Sequence, residues 1–78
     1  MNQQLIFNND FSYNQDRHAV TFSCLVSGLK VTCYIAIAEG VTPEIALQQV
    51  IQQAFTWEDS AEQAIADDAY NSAGEIWL

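Results

Sequence analysis

Residues 19–37, AVTFSCLVSGLKVTCYIAI, constrain the fold most, because they predict two strands joined by a tight turn at Ser27-Gly28. Apolar residues recur at every second position on both sides of that turn, which is the period of a β-strand. Four apolar cross-strand pairs follow: Val26 with Leu29, Cys24 with Val31, Phe22 with Cys33 and Val20 with Ile35. A slip of one residue would oppose Phe22 to Thr32, so the pattern predicts a single register.

Shorter strands are predicted at both ends of the chain. Residues 3–7 form a first strand with Leu5 and Phe7 on one face. Residues 8–17 are polar and predict a surface loop, in which Phe11 and Tyr13 fold back onto the core. Near the other end, residues 71–74 turn the chain into a last strand over residues 75–78.

A helix is predicted to begin at Thr42-Pro43-Glu44, with Thr42 as N-cap, Pro43 at the first helical position and an acid in the first turn. Its apolar positions recur at helical spacing: Leu47, Val50, Ile51, Ala54 and Phe55. Glutamines fill the opposite side: Gln48, Gln49, Gln52 and Gln53.

The continuation of that helix has two interpretations. The apolar spacing allows one helix of about 27 residues, which would be about 40 Å long and would place Glu58 in the apolar stripe. Alternatively, Thr56 and Asp59 form a capping box and start a second helix that runs to about Ala69. We favour a break near Thr56.

The order of these elements predicts an α+β fold. The chain of 78 residues forms one domain, residues 1–78, with the order β-β-β-α-(α)-β. A small antiparallel sheet carries the helical layer on one face, because an amphipathic helix needs the apolar side of the hairpin to cover.

Charge is the most unusual property of the composition. Ten carboxylates face Arg17 and Lys30, for a net charge of −8. Such a chain repels phosphate backbones and anionic membranes, which argues against direct nucleic-acid or membrane binding. No apolar run nears the roughly 20 residues of a membrane span, and the first ten residues lack a basic signal-peptide start, so a cytoplasmic location is expected.

The residues capable of chemistry form no recognisable site. Cys24 and Cys33 fall on one hairpin face in diagonal positions, about 7–8 Å apart, too far for a comfortable disulfide. His18 has no motif around it, and the glycines are scattered. We expect two buried thiols, no catalytic residue, no metal and no cofactor.

The motifs occur in an order that resembles a known bacterial family. They are Leu5-Ile6-Phe7, a loop through Tyr13, Ala19-Val20-Thr21-Phe22, Gly28, Cys33-Tyr34-Ile35, Glu62-Gln63-Ala64 and Gly74-Glu75-Ile76. In these the chain is similar to the domain-of-unknown-function family 1488. It departs from the family at Tyr13, where Trp is usual, and in a shorter segment between Ile37 and Leu47. The resemblance implies a compact α+β domain and no established activity.

Three functions compete at this point. The first is a non-enzymatic interaction or regulatory module that binds a protein with a basic patch. The second is an acidic nucleic-acid mimic that inhibits a basic enzyme, and the third is a small enzyme or ligand-binding protein. The candidate surface is acidic: Glu58, Asp59, Glu62, Asp67 and Asp68. The candidate aromatic contacts are Tyr13, Trp57 and Trp77. Exposed sheet edges also predict a weak homodimer.

Overall fold

The computed structural model describes residues 5–78, in which five strands form a single sheet with two helices. In chain order the elements are β1 (Leu5–Phe7), β2 (Ser12–Asn14), β3 (Ala19–Val26), β4 (Leu29–Ala36), α1 (Pro43–Gln52), α2 (Ala54–Ala66) and β5 (Ile76–Trp77). The α+β class is confirmed. The first two residues of the predicted strand over residues 3–7 lie outside the described part of the chain.

The central hairpin has the predicted register at every position. Val26 pairs with Leu29, and Val20 pairs with Ile35, at the two ends of the four apolar pairs. Ser27 and Gly28 both have positive φ, at 50° and 89°. Positive φ at both central residues defines the turn whose twist matches that of the flanking strands.

The outer edge of β3 is paired with two short strands instead of one. β1 pairs with residues 24–26 and β2 with residues 19–21. The expectation of a surface loop over residues 8–17 was therefore wrong at β2, which is a strand. Phe11 does fold back onto the core, with its ring centroid 5.0 Å from that of Phe22. The chain between the two strands interrupts this edge, and the weak homodimer stays a prediction.

The last strand joins the sheet on the far side of β4 and runs parallel to it, with Cys33 opposite Ile76. The sheet is therefore mixed, where an antiparallel one was expected. Parallel neighbours need a crossover connection, and the two helices supply it. The strand is also shorter than residues 75–78, because only Ile76 and Trp77 pair with β4.

The helical layer begins as predicted and breaks earlier than predicted. Thr42 Oγ1 accepts a hydrogen bond from Ile45 N at 3.3 Å, and Pro43 opens α1. The break falls at Gln53, whose φ and ψ are −110° and 28°. Thr56 lies inside α2 and is not its cap, since the N-cap is Gln53. Trp57 and Ala61 of the same helix pack in the core.

The core lies between the helices and one face of the sheet. Its largest fully buried side chains are Phe22, Ile76, Val20, Cys24 and Cys33. The helices contribute Ala46, Val50, Ala61 and Ile65. Leu29 was expected in this face but is 74 % exposed, since it lies at the tip of the hairpin. Within residues 5–78, no helix has the length and apolarity that crossing a membrane requires.

Candidate functional site

An exposed apolar pair lies on the solvent side of the helical layer, next to the break. Phe55 is the second residue of α2, and its side chain is 84 % exposed. Ile51, four residues earlier in α1, is 50 % exposed. The sequence pattern had placed both in the buried stripe, and this expectation was wrong. They follow Val50 and Ala54 by one residue, about 100° around the helix, and the narrow sheet does not cover that arc.

Acidic residues continue the same face of α2. Asp59 and Glu62 follow Phe55 at i+4 and i+7, the spacing that stacks side chains above one another on a helix. Both acids are exposed. We call Ile51, Phe55, Asp59 and Glu62 the outer helix face. It joins an apolar end to an acidic end.

The charge of this face is uncompensated within the described residues. Across residues 5–78 the ion pair is Arg17 with Glu75, and neither belongs to the outer helix face. Lys30 lies in β4, two residues after the hairpin turn. The negative potential at the acidic end of the outer helix face is therefore open to a partner's cations.

The predicted acidic residues fall into two groups, one in the middle of α2 and one at its C-terminal end. Glu58, Asp59 and Glu62 lie in the middle of α2, whose first turn holds no acid, so they gain nothing from the helix N-terminus. Glu58 is half-buried. Asp67 is the C-cap and accepts a hydrogen bond from Gln63 Nε2 at 3.1 Å. Asp68 follows with a positive φ of 56°.

The three predicted aromatic contacts have different environments. Tyr13 is half-buried in β2 opposite Val20, and its hydroxyl lies 3.5 Å from His18 Nδ1. Trp77 is 41 % exposed and stacks on Tyr34, with ring centroids 4.7 Å apart. It alternates with the core residue Ile76, so it lies on the sheet face away from the helices.

Trp57, the third aromatic, lines a cleft of about 210 Å³ where the helical layer breaks. Its Nε1 atom is buried and has no hydrogen-bond partner among residues 5–78. An unsatisfied buried donor costs about 1–3 kcal/mol. Core residues such as Val20, Ile35 and Val50 also line the cleft, together with Gln49 and Gln53.

On the opposite sheet face, Arg17 connects three residues. Its guanidinium carbon lies 5.0 Å from the Tyr34 ring centroid and 5.6 Å from that of Trp77. Its Nη2 atom donates to Glu75 Oε1 at 2.6 Å. A hydrogen bond from Asn71 is the main reason that the pKa of Glu75 is lowered to about 2. Desolvation opposes this shift, and hydrogen bonds from Arg17 and Trp77 add to it. This arrangement leaves Arg17 already paired and gives it a structural role.

Asp10 has a role that the sequence did not reveal. Its carboxylate accepts hydrogen bonds from Ser23 N at 2.8 Å and from Ser23 Oγ at 2.5 Å. It therefore satisfies the backbone of β3 in the gap between β1 and β2. Desolvation opposes ionisation of Asp10, but the hydrogen bonds from Ser23 outweigh it and lower the pKa.

The two cysteines are buried and unpaired. Cys24 opposes Val31 and Cys33 opposes Phe22, which is the predicted diagonal arrangement. Burial, together with the neighbouring Cys24, raises the pKa of Cys33 to about 12. Burial also raises the pKa of Cys24. Both thiols are therefore poor nucleophiles in the folded chain, since the thiolate is the reactive form.

Comparison with known proteins gives consistent matches over the whole chain. The profile of a family described as protein of unknown function (DUF1488) matches residues 5–78. The uncharacterized protein YrdB of Escherichia coli (strain K12) is 30 % identical over 84 aligned positions, covering 100 % of this chain and 99 % of YrdB. YrdB of Shigella flexneri is 29 % identical with the same coverage. A crystal structure of a DUF1488-family protein of unknown function from Shewanella loihica PV-4 has a TM-score of 0.89 and 27 % identity, covering 100 % of this chain and 94 % of that one.

Proposed function

Because the chain belongs to the DUF1488 family, whose description gives no activity, we propose from its surface that it is a non-enzymatic module that binds a basic amphipathic segment of another protein. The outer helix face is the proposed docking surface. Membership also confirms the family resemblance seen in the sequence.

The exposure of Phe55 is the observation that carries this proposal. Single exposed apolar residues are ordinary on protein surfaces, but here an 84 % exposed phenylalanine follows a half-exposed isoleucine by four residues in the helical layer. Burying a side chain of this size contributes about 1.5–3 kcal/mol. Aromatic anchors of this kind dominate the binding energy of many interfaces.

Charge defines the chemistry of the partner. The apolar pair is followed on the same face by Asp59 and Glu62, and the whole chain has a net charge of −8. The complementary segment places an apolar side chain over Phe55 and Lys or Arg over the two acids. Opposite potentials speed association and select the partner, and the effect weakens as salt shortens the Debye length to about 3 Å at 1 M.

A synthetic amphipathic peptide tests the proposal directly. The peptide is a helix with leucine on one face and lysine on the other, and its control is a scrambled peptide of identical composition. Binding is measured by fluorescence anisotropy at several salt concentrations. We expect Phe55→Ser to weaken binding of the amphipathic peptide about tenfold. Asp59→Asn combined with Glu62→Gln should weaken binding and reduce its salt dependence.

A matched variant controls for charge alone. Asp16→Asn combined with Glu39→Gln removes the same charge from exposed positions outside both helices, and it should leave binding nearly unchanged. The proposal is wrong if the scrambled peptide binds equally well, or if both double variants weaken binding alike while Phe55→Ser has no effect. In that case the acids act only as a solubilising surface.

A further inference from the structure

The cleft at the helix break has the features of a small-molecule site, and nothing in the proposed interaction with a basic segment uses it. It lies on the inner side of the helical layer, between that layer and the end of the hairpin. Phe55 and Ile51 do not line it. We infer that this cleft binds a small uncharged molecule with an apolar body and one oxygen acceptor.

The residues that line the cleft indicate that the ligand has an apolar body. The core side chains Val20, Ile35 and Val50 form part of the wall, and no residue that lines the cleft is charged. An ionised ligand would lose its hydration there without gaining a counter-ion. The cleft volume of about 210 Å³ is below the roughly 300–1,000 Å³ typical of drug-sized ligands, so the ligand is small.

The polar groups of the cleft residues indicate that the ligand carries an oxygen acceptor. The indole N–H of Trp57 is a donor only, and it is buried without an acceptor within residues 5–78. Gln49 and Gln53 also line the cleft, and each carries a carboxamide that can donate and accept. A carbonyl oxygen that reached the Trp57 N–H would remove an unpaired buried donor. An apolar wall with a few polar groups is the usual composition of ligand sites.

The break between the two helices lies at the cleft. Gln53 lies between α1 and α2, and its backbone has left the regular helical conformation. It also lines the cleft.

Cyclohexanone is a suitable probe, because it is small, uncharged and carries one carbonyl oxygen. Its matched controls are methylenecyclohexane, which is uncharged and has no acceptor oxygen, and cyclohexanecarboxylate, which has acceptors and a charge. The readout is the indole Nε1–H resonance of Trp57 in ¹⁵N-labelled protein, assigned with Trp77→Phe. We expect cyclohexanone to shift this resonance saturably, and neither control to do so.

Two variants make the result specific to the cleft. Ala38→Leu enlarges an exposed residue of the cleft lining and should abolish the shift without unfolding the chain. Trp57→Phe keeps an aromatic ring and removes the N–H, and it should weaken cyclohexanone binding about tenfold in ligand-observed NMR. The inference is overturned if the resonance does not respond up to the solubility of cyclohexanone. It is equally overturned if both controls cause the same shift, or if Ala38→Leu leaves the response intact.

Discussion

Arg17 and Glu75 lie 58 positions apart in the chain, yet Arg17 Nη2 is 2.6 Å from Glu75 Oε1. The contact joins the segment before β3 to the segment before β5. Asn71 Nδ2 and Trp77 Nε1 donate to the same oxygen at 3.1 Å and 3.4 Å. The parallel strand β5 is only two residues long, and these contacts add to its ladder with β4 and to the burial of Ile76.

This contact predicts an acid-sensitive contribution to stability. The pKa of Glu75 is about 2 in the folded protein, below the roughly 4.3 of an unperturbed glutamate. Because the folded pKa is depressed, the contribution is complete above about pH 4.3 and is lost as the pH falls toward 2. Denaturant titrations of the wild type and Glu75→Gln should differ at pH 7 and converge near pH 2. A difference that does not depend on pH would contradict the assignment.

Phe22 is the side chain whose removal should destabilise the fold most clearly. It is 2 % exposed, and its ring centroid lies 6.3 Å from that of Phe7 and 5.0 Å from that of Phe11. Phe22→Ala should lower the free energy of unfolding by about 3–5 kcal/mol. Thr21→Ala, on the other sheet face, should lower it by well under about 1 kcal/mol. Equal losses in urea titrations would show that the assignment of faces is wrong.

The two thiols should react slowly in the native protein. Cys24 and Cys33 are both fully buried, and the pKa of each is raised. A thiol reagent at pH 8 should label them at a rate limited by unfolding, and rapidly once denaturant is added. Mass spectrometry provides the control, since an oxidised pair would be two hydrogens lighter. Fast labelling of the native chain would refute their burial.

The C-terminus of α2 predicts a stabilising substitution. Asp67 is its C-cap, and the last turn contains no basic residue. A negative charge there opposes the helix dipole, so Asp67→Asn should raise the free energy of unfolding by about 0.3–1 kcal/mol. Asparagine keeps the oxygen that accepts from Gln63 Nε2. Asp59→Asn, in the middle of the same helix, is the control and should have less effect. If Asp67→Asn instead lowers the free energy of unfolding, the negative charge of Asp67 stabilises the folded chain and this prediction is wrong.

The sequence predicted those elements in which several neighbouring residues independently favour the same structure. The hairpin register followed from four apolar pairs and a glycine turn, and α1 followed from Thr42 and Pro43. The direction of β5 and the existence of β2 could not be predicted, because strands of two or three residues carry no usable period. Asp10 was missed because a carboxylate that replaces a strand's carbonyl leaves no local pattern.

The candidate site was only partly visible in the sequence for a similar reason. The acids of α2 were recognised, but Phe55 was counted with the buried stripe. A helical apolar pattern describes an arc of about 100° or more, and it does not tell how much of that arc a neighbouring sheet will cover. Here the sheet covers Val50 and Ala61 and leaves Ile51 and Phe55 in solvent. The cleft also depends on the exact position of the break, at Gln53 and not at Thr56.

The most direct test of the proposed function is a map of amide chemical shifts as the leucine–lysine peptide is added to ¹⁵N-labelled protein. We predict the largest changes over residues 51–62, which include the outer helix face, and little change at the Trp77 indole or at Tyr13. Trp77 lies on the opposite face of the sheet, so the two outcomes cannot be confused. Changes centred on Trp77 and Tyr34, with residues 51–62 unaffected, would contradict the proposal and identify the aromatic sheet face as the binding surface.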